Sequence, residues 1–276
     1  MKNLIVKVGL VSMFLISLNC SRNEVVAEPE HFGKNSIENF QSKPECEITV
    51  NQDNPYNFVG QIHNEILYDY LVENDDNVEN VDSLIFKVEK IAFDNSNFQN
   101  YNNSNYTSPN SAALTYGASD FVNGYSNVIG NMAISSAAKT KMSELVDYFF
   151  DKVNNNTEPS YADVNLFLNN FENSIIVGPN SFTTEEKKVL FSAVATAKYS
   201  NCFWYNYLNI ASQSEAKGEG GRKWFHWLII GVSDALGAAV AAIPAAGAPP
   251  VGGAIIVSGA VAASGLAYTM TSPKNK

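Results

Sequence analysis

From Trp224 to Met270 Ala, Gly, Val and Ile dominate the chain, and His226 and Asp234 are the ionisable side chains expected to matter there. A helix that is apolar all round has to be enclosed, by protein or by lipid, so this stretch dictates how the rest must be arranged. Pro244, Gly247, Pro249, Pro250, Gly252 and Gly253 interrupt its middle, which predicts two helices joined by a turn, a hairpin over residues 222–270. On the first helix Ser233, Gly237, Ala241 and Ala245 recur every four residues. On the second, Ala254, Ser258 and Ala262 do so, with Gly259, Ala263 and Ala267 beside them. Such spacing stacks small side chains on one face and lets two backbones approach closely. The helices are therefore expected to lie antiparallel, in contact through Gly237, Ala241, Ser258 and Ala262.

Two surroundings suit such a hairpin. Arg222 and Lys223 before it, and Lys274 and Lys276 after it, would hold both ends on one face of a membrane. Small-faced helices also pack at the centre of a helical bundle, and Asp234 is costly in lipid without a partner. In either setting Asp234 needs a buried donor, such as a hydroxyl, His226 or Arg222. Without one, its carboxylate takes up a proton.

The body, residues 56–215, carries the 3.6-residue period of amphipathic helices. Val59, Ile62, Ile66, Leu67, Tyr70 and Leu71 form one apolar stripe, and Val81, Leu84, Ile85, Val88, Ile91 and Ala92 a second. Asp94 to Pro109 has no hydrophobic period and reads as a long surface loop, while Gly117, Gly124 and Gly130 leave Ala112–Asn131 only weakly helical. A third stripe runs from Ile134 through Met142 and Phe149 to Val153. Ser160 with Asp163 opens a helix that ends at Gly178-Pro179, and Phe182, Thr183 and Glu186 form a capping box with a staple that opens a long helix through Trp204 and Tyr207. Short connections between such helices predict an all-α bundle with the apolar hairpin at its C-terminal end.

The other end carries an export pattern. Lys2 and Lys7 precede an apolar run, Val8–Leu18, that is too short to span a bilayer and fits a signal peptide over residues 1–19. Ser17-Leu18-Asn19-Cys20 resembles the bacterial lipobox, in which the cysteine is acylated and becomes the new N-terminus. Leu18 is one place nearer the cysteine than in the usual motif, and Asn19 replaces a small residue. Val25-Val26-Ala27 offers an ordinary signal-peptidase site as the alternative. Lipidation at Cys20, with palmitate among the acyl chains, is the preferred reading, and Ser21 favours the outer membrane. Residues 20–55, polar and carrying Pro29, Pro44 and Pro55, read as a tether. Cys46 and Cys202 would then share an oxidising compartment. Either they pair, or Cys202, beside Phe203 and Trp204, is a buried thiol.

Chemistry is harder to find. The net charge of −10 disfavours a nucleic-acid partner, since phosphates need clustered Lys and Arg. His31, His63 and His226 lie far apart without ligand spacing, so no metal or other cofactor is expected, and no nucleophile motif or phosphate loop points to an enzyme. His63 and Asn64 read as helix-face groups bonded to a neighbouring element. The stretch Asn54-Pro55-Tyr56 through Gly60, Ile62, His63, Asn64 and Leu67, the helix from Ser192 to Tyr205 and the glycine-rich tail together resemble uncharacterised lipoproteins of the Bacteroidetes type. The resemblance touches about a third of the chain and, since no activity attaches to that group, implies no catalytic residue. The tail additionally resembles the glycine zippers of bacteriocin-type peptides and membrane-inserting toxins. The expectation is a non-catalytic envelope lipoprotein whose body binds a partner of unknown identity, a protein or a surface. The alternative is a membrane-active protein that inserts its hairpin into a bilayer.

Overall fold

In a computed structural model the chain is described over residues 46–73, 80–102, 106–109, 111, 125–178, 182–214, 223–243 and 252–271. All of these fall within the unit Phe32–Lys276. Cys20, the signal segment, residues 20–45 of the tether and residues 112–124 lie outside the described residues.

Nine helices are present among the described residues, with no strand: α1 (Asn57–Glu73), α2 (Val81–Asp94), α3 (Ser96–Gln99), α4 (Ser126–Asn131), α5 (Ser136–Asn154), α6 (Tyr161–Ile176), α7 (Thr184–Ser214), α8 (Lys223–Ala242) and α9 (Gly252–Thr271). The fold is all-α. Local chemistry sets several of the boundaries. Asn80 with Ser83 and Ser160 with Asp163 form capping boxes at α2 and α6, and Ser135 caps α5. Thr183 and Glu186 exchange the same pair of bonds at α7, the Glu186 carboxylate accepting from the Thr183 amide at 2.8 Å.

The long α7 is the centre of the molecule. Every side chain from Lys188 to Lys198 is buried, because α1, α6 and α8 all pack on it. Gly60 of α1 makes one of these approaches close: a β-carbon there would lie 2.5 Å from the Ala195 carbonyl oxygen. The α8–α9 hairpin fills the other side, with α1 and α2 against α9. Thus the described side chains of α8 and α9 are buried or half-buried against the body, and no helix among the described residues is long and apolar enough to cross a membrane.

Two regions differ from the sequence expectation. Asp94–Pro109 is not simply a surface loop: Asn95 caps the short α3, whose Phe98 is wholly buried, and Tyr106 bonds Glu89 at 2.8 Å and Ser258 at 3.0 Å. A single turn anchored by one aromatic ring carries no period to detect. The tether is also shorter at its C-terminal end, since Cys46 and Asn54 are both buried.

Candidate functional site

The hairpin helices do lie antiparallel and touching. A β-carbon on Gly237 would lie 2.5 Å from that of Ala263 and 2.9 Å from the Gly259 carbonyl oxygen, and one on Gly259 would lie 2.5 Å from the Ala241 β-carbon. Residues that rise along α8 thus meet residues that fall along α9. The row of α9 that faces α8 is Gly259–Ala263 rather than Ser258–Ala262. Ser258 instead takes the Tyr106 hydroxyl, and Ala262 packs with Ile85 and Val81 of α2. Being enclosed on two sides, α9 needs two small faces, and only the packing decides which helix each one meets. Ser233 turns back on its own helix and donates to the Ile229 carbonyl at 2.9 Å.

Cys46 and Cys202 form a disulfide, with Cα atoms 5.8 Å apart. It fastens the segment before α1 to the middle of α7.

A polar cluster sits where α1, α7, α8 and α9 meet. Asp234 Oδ2 accepts from the Ser264 hydroxyl at 2.5 Å and from Ser200, and the Trp204 indole donates to Ser264 Oγ at 3.4 Å. His63 Nε2 faces Ser264 Oγ at 3.4 Å and Asp234 Oδ2 at 3.5 Å. On the other edge of the ring, Asn64 Nδ2 donates to the Tyr199 carbonyl at 2.9 Å, which turns Asn64 Oδ1 toward His63 Nδ1 at 3.0 Å. The Nδ1 proton is thereby assigned, and Nε2 presents a lone pair to Asp234. An ionised Asp234 would set two acceptors against each other. Burial resolves this: it raises the Asp234 carboxyl to about 7, against the lowering effect of Ser200, Ser264 and Trp204, and it lowers His63 to about 4, against the Asn64 bond. Between about pH 4 and 7 the proton that the two groups compete for rests on Asp234, and the pair is neutral. The donor expected for Asp234 is thus a pair of hydroxyls, with His63 beside them. The side chains of Arg222 and His226 lie outside the described residues.

Ser264, His63 and Asp234 invite comparison with a nucleophilic triad, and the geometry does not fit one. A triad places serine and acid on opposite nitrogens of the imidazole, with the serine open to substrate. Here both face Nε2, and all three residues are 0 % exposed.

A second buried cluster joins the segment before α1 to α6 and α7. Lys198 Nζ lies 2.5 Å from Glu172 Oε2 and 3.1 Å from the Thr49 carbonyl oxygen. The other carboxylate oxygen, Oε1, accepts from Asn54 Nδ2 at 2.6 Å, and Asn54 Oδ1 accepts the Tyr56 amide at 2.8 Å. Asn54, Glu172 and Lys198 are at most 2 % exposed. None of the three was marked by sequence as a functional group. The available signal was phase: Glu172 falls on the apolar stripe of Leu168, Phe171 and Ile175, and Lys198 lies within the apolar run of α7. An acid and a base on buried faces need each other.

A cleft of about 260 Å³ opens between the starts of α5 and α7, lined by Ser135, Thr183, Glu186 and Ile243 among others. Glu186 fills a structural role there. It accepts from the Ser135 and Thr183 amides, each at 2.8 Å, and these bonds hold its carboxyl down to about 2. Among the described residues no group of three or more His, Cys, Asp or Glu could hold a metal ion. No family model, no curated protein and no solved structure matches the chain.

Proposed function

We propose that the chain is a cell-envelope lipoprotein, held by lipid on Cys20 at the outer membrane, whose helical body is a non-catalytic module for binding a protein partner. The observation that carries this reading is the disulfide. Of three cysteines in the chain, Cys46 and Cys202 are committed to each other, which leaves Cys20, directly behind the apolar run, for acylation. A disulfide between segments far apart in sequence suits an exported protein, because thiols in a reducing cytosol stay apart. The inward aim of both polar clusters supports a scaffold role over a catalytic one, since no substrate reaches His63, Asp234 or Lys198 without opening the core.

Metabolic labelling with a palmitate analogue tests the anchor. Label should vanish in Cys20→Ala and persist in the Cys46→Ala/Cys202→Ala double variant. Label that survives Cys20→Ala overturns the reading. Cross-linking and capture from detergent-solubilised envelopes then tests the partner: a stoichiometric companion supports the binding role, and turnover of a substrate by the purified body retires it.

A further inference from the structure

We propose that Lys198 and Asn54 react with each other to form an intramolecular amide bond, with Glu172 carrying the proton. The three side chains come from three separate segments and share one site closed to water. One carboxylate holds both reacting nitrogens, Lys198 Nζ on Oε2 at 2.5 Å and Asn54 Nδ2 on Oε1 at 2.6 Å. The same amide nitrogen also donates to the Phe191 carbonyl oxygen at 3.3 Å, so the Asn54 side chain is held in one orientation beside the ion pair. The Asn54 carbonyl is also already polarised, because its oxygen takes the Tyr56 amide at 2.8 Å, a donor placed where negative charge collects as a nucleophile adds to that carbon. The Thr49 carbonyl fixes the direction of the amine.

The chemistry closes without any further reagent. Glu172 takes a proton from the Lys198 ammonium, freeing a lone pair on Nζ. That pair attacks Asn54 Cγ, and charge gathers on Oδ1 against the Tyr56 amide. The Cγ–Nδ2 bond then breaks as the leaving nitrogen gains a proton by way of Glu172, and ammonia departs. In sum, one ammonium, one carboxylate and one primary amide become a secondary amide, a carboxylic acid and ammonia. Burial favours this direction. A closed ion pair scarcely repays its desolvation, whereas the products carry no charge in the core. Seating the amine and the amide on one carboxylate replaces a bimolecular encounter, which is how an unactivated amide becomes reactive.

Peptide mapping of the full chain tests the proposal. The protein is reduced and alkylated first, so that the nearby disulfide cannot join the same peptides, and is then digested and read by mass spectrometry. The expected product is a branched peptide linking Asn54 to Lys198, lighter by about 17 Da, one ammonia, than its two parts together. It should be absent from Lys198→Arg, and on denaturing gels the reduced wild type should run ahead of that variant. Separate, unmodified Asn54 and Lys198 peptides from folded wild-type protein overturn the bond. A link that forms in full in Glu172→Gln overturns the role given to Glu172.

Discussion

At the scale of single residues, the His63–Asp234 pair has opposed titrations that should hide each other. Asp234, raised to about 7 by burial, contributes stability that is fully present below its unfolded value and is lost as pH rises toward 7. His63, lowered to about 4 by burial, contributes stability that is present above its unfolded value and is lost as pH falls toward 4. Between roughly pH 4 and 6.5 the folded and unfolded pairs each bind one proton, so the two slopes cancel. Single variants should unmask them. In Asp234→Asn, unfolding free energy should rise with pH across this window, and in His63→Gln it should fall, each by up to about 1.4 kcal/mol per pH unit relative to wild type. Guanidinium titrations at pH 4.5, 5.5 and 6.5 measure both slopes while staying above the acid limb to which Glu186 contributes. Equal slopes in both variants would show that the residues do not share a proton. Sequence made Asp234 legible as a carboxyl in need of a buried donor, with a hydroxyl, His226 and Arg222 as the choices, since an acid amid Ala and Val cannot stay charged alone. It could not supply Ser200, Ser264 or His63, which stand 34 residues, 30 residues and a whole bundle away. A serine in a helix looks the same whether it meets water or a carboxylate.

At the scale of elements, the capping chemistry was the most readable part. Ser160 with Asp163 and Thr183 with Glu186 make the bonds their spacing implies, because a cap is a contact within four residues. Hairpin register was less readable. Both rows of α9 are small, and a pattern of small residues gives the closeness of approach without naming the partner. The seam can be tested by size. Gly237 has no room for a β-carbon, so Gly237→Ala should lower stability and Gly237→Leu should lower it further, by about 1–3 kcal/mol for an overpacked contact. Gly130, in the short α4, has nothing within 4 Å of where a β-carbon would stand. Gly130→Ala should therefore leave stability unchanged or raise it by up to about 1 kcal/mol. Thermal melts of the three variants decide the matter, and a Gly237→Leu protein as stable as wild type would mean that the seam is loose. The α7 helix shows why period alone misleads in a core: Ser192, Thr196 and Ser200 recur every four residues as a polar face would, yet all three are wholly buried between neighbouring helices.

At the scale of the whole molecule, the all-α class followed from period and connection length, whereas the position of α7 at the centre did not, because no single helix records how many neighbours it has. The cross-links act at this scale. The disulfide spans 156 residues, and closing a loop of that size lowers the entropy of the unfolded chain by the equivalent of roughly 5 kcal/mol. With Lys198 and Asn54 joined, the disulfide closes only the short ring left between the two links, worth roughly 3 kcal/mol. Replacing Cys46 and Cys202 by Ser should thus cost about 3 kcal/mol in the wild-type background and about 5 kcal/mol in Lys198→Arg, as read from denaturant midpoints; equal costs would argue against a second link. The bond from Cys46 to Cys202 also decides how the protein bears a load. Tension applied between the N-terminal side and the C-terminal end reaches Cys46 and crosses through the disulfide to the middle of α7, so its covalent path bypasses α1 to α6. Such a pull tries the second half of α7 and the hairpin behind it first.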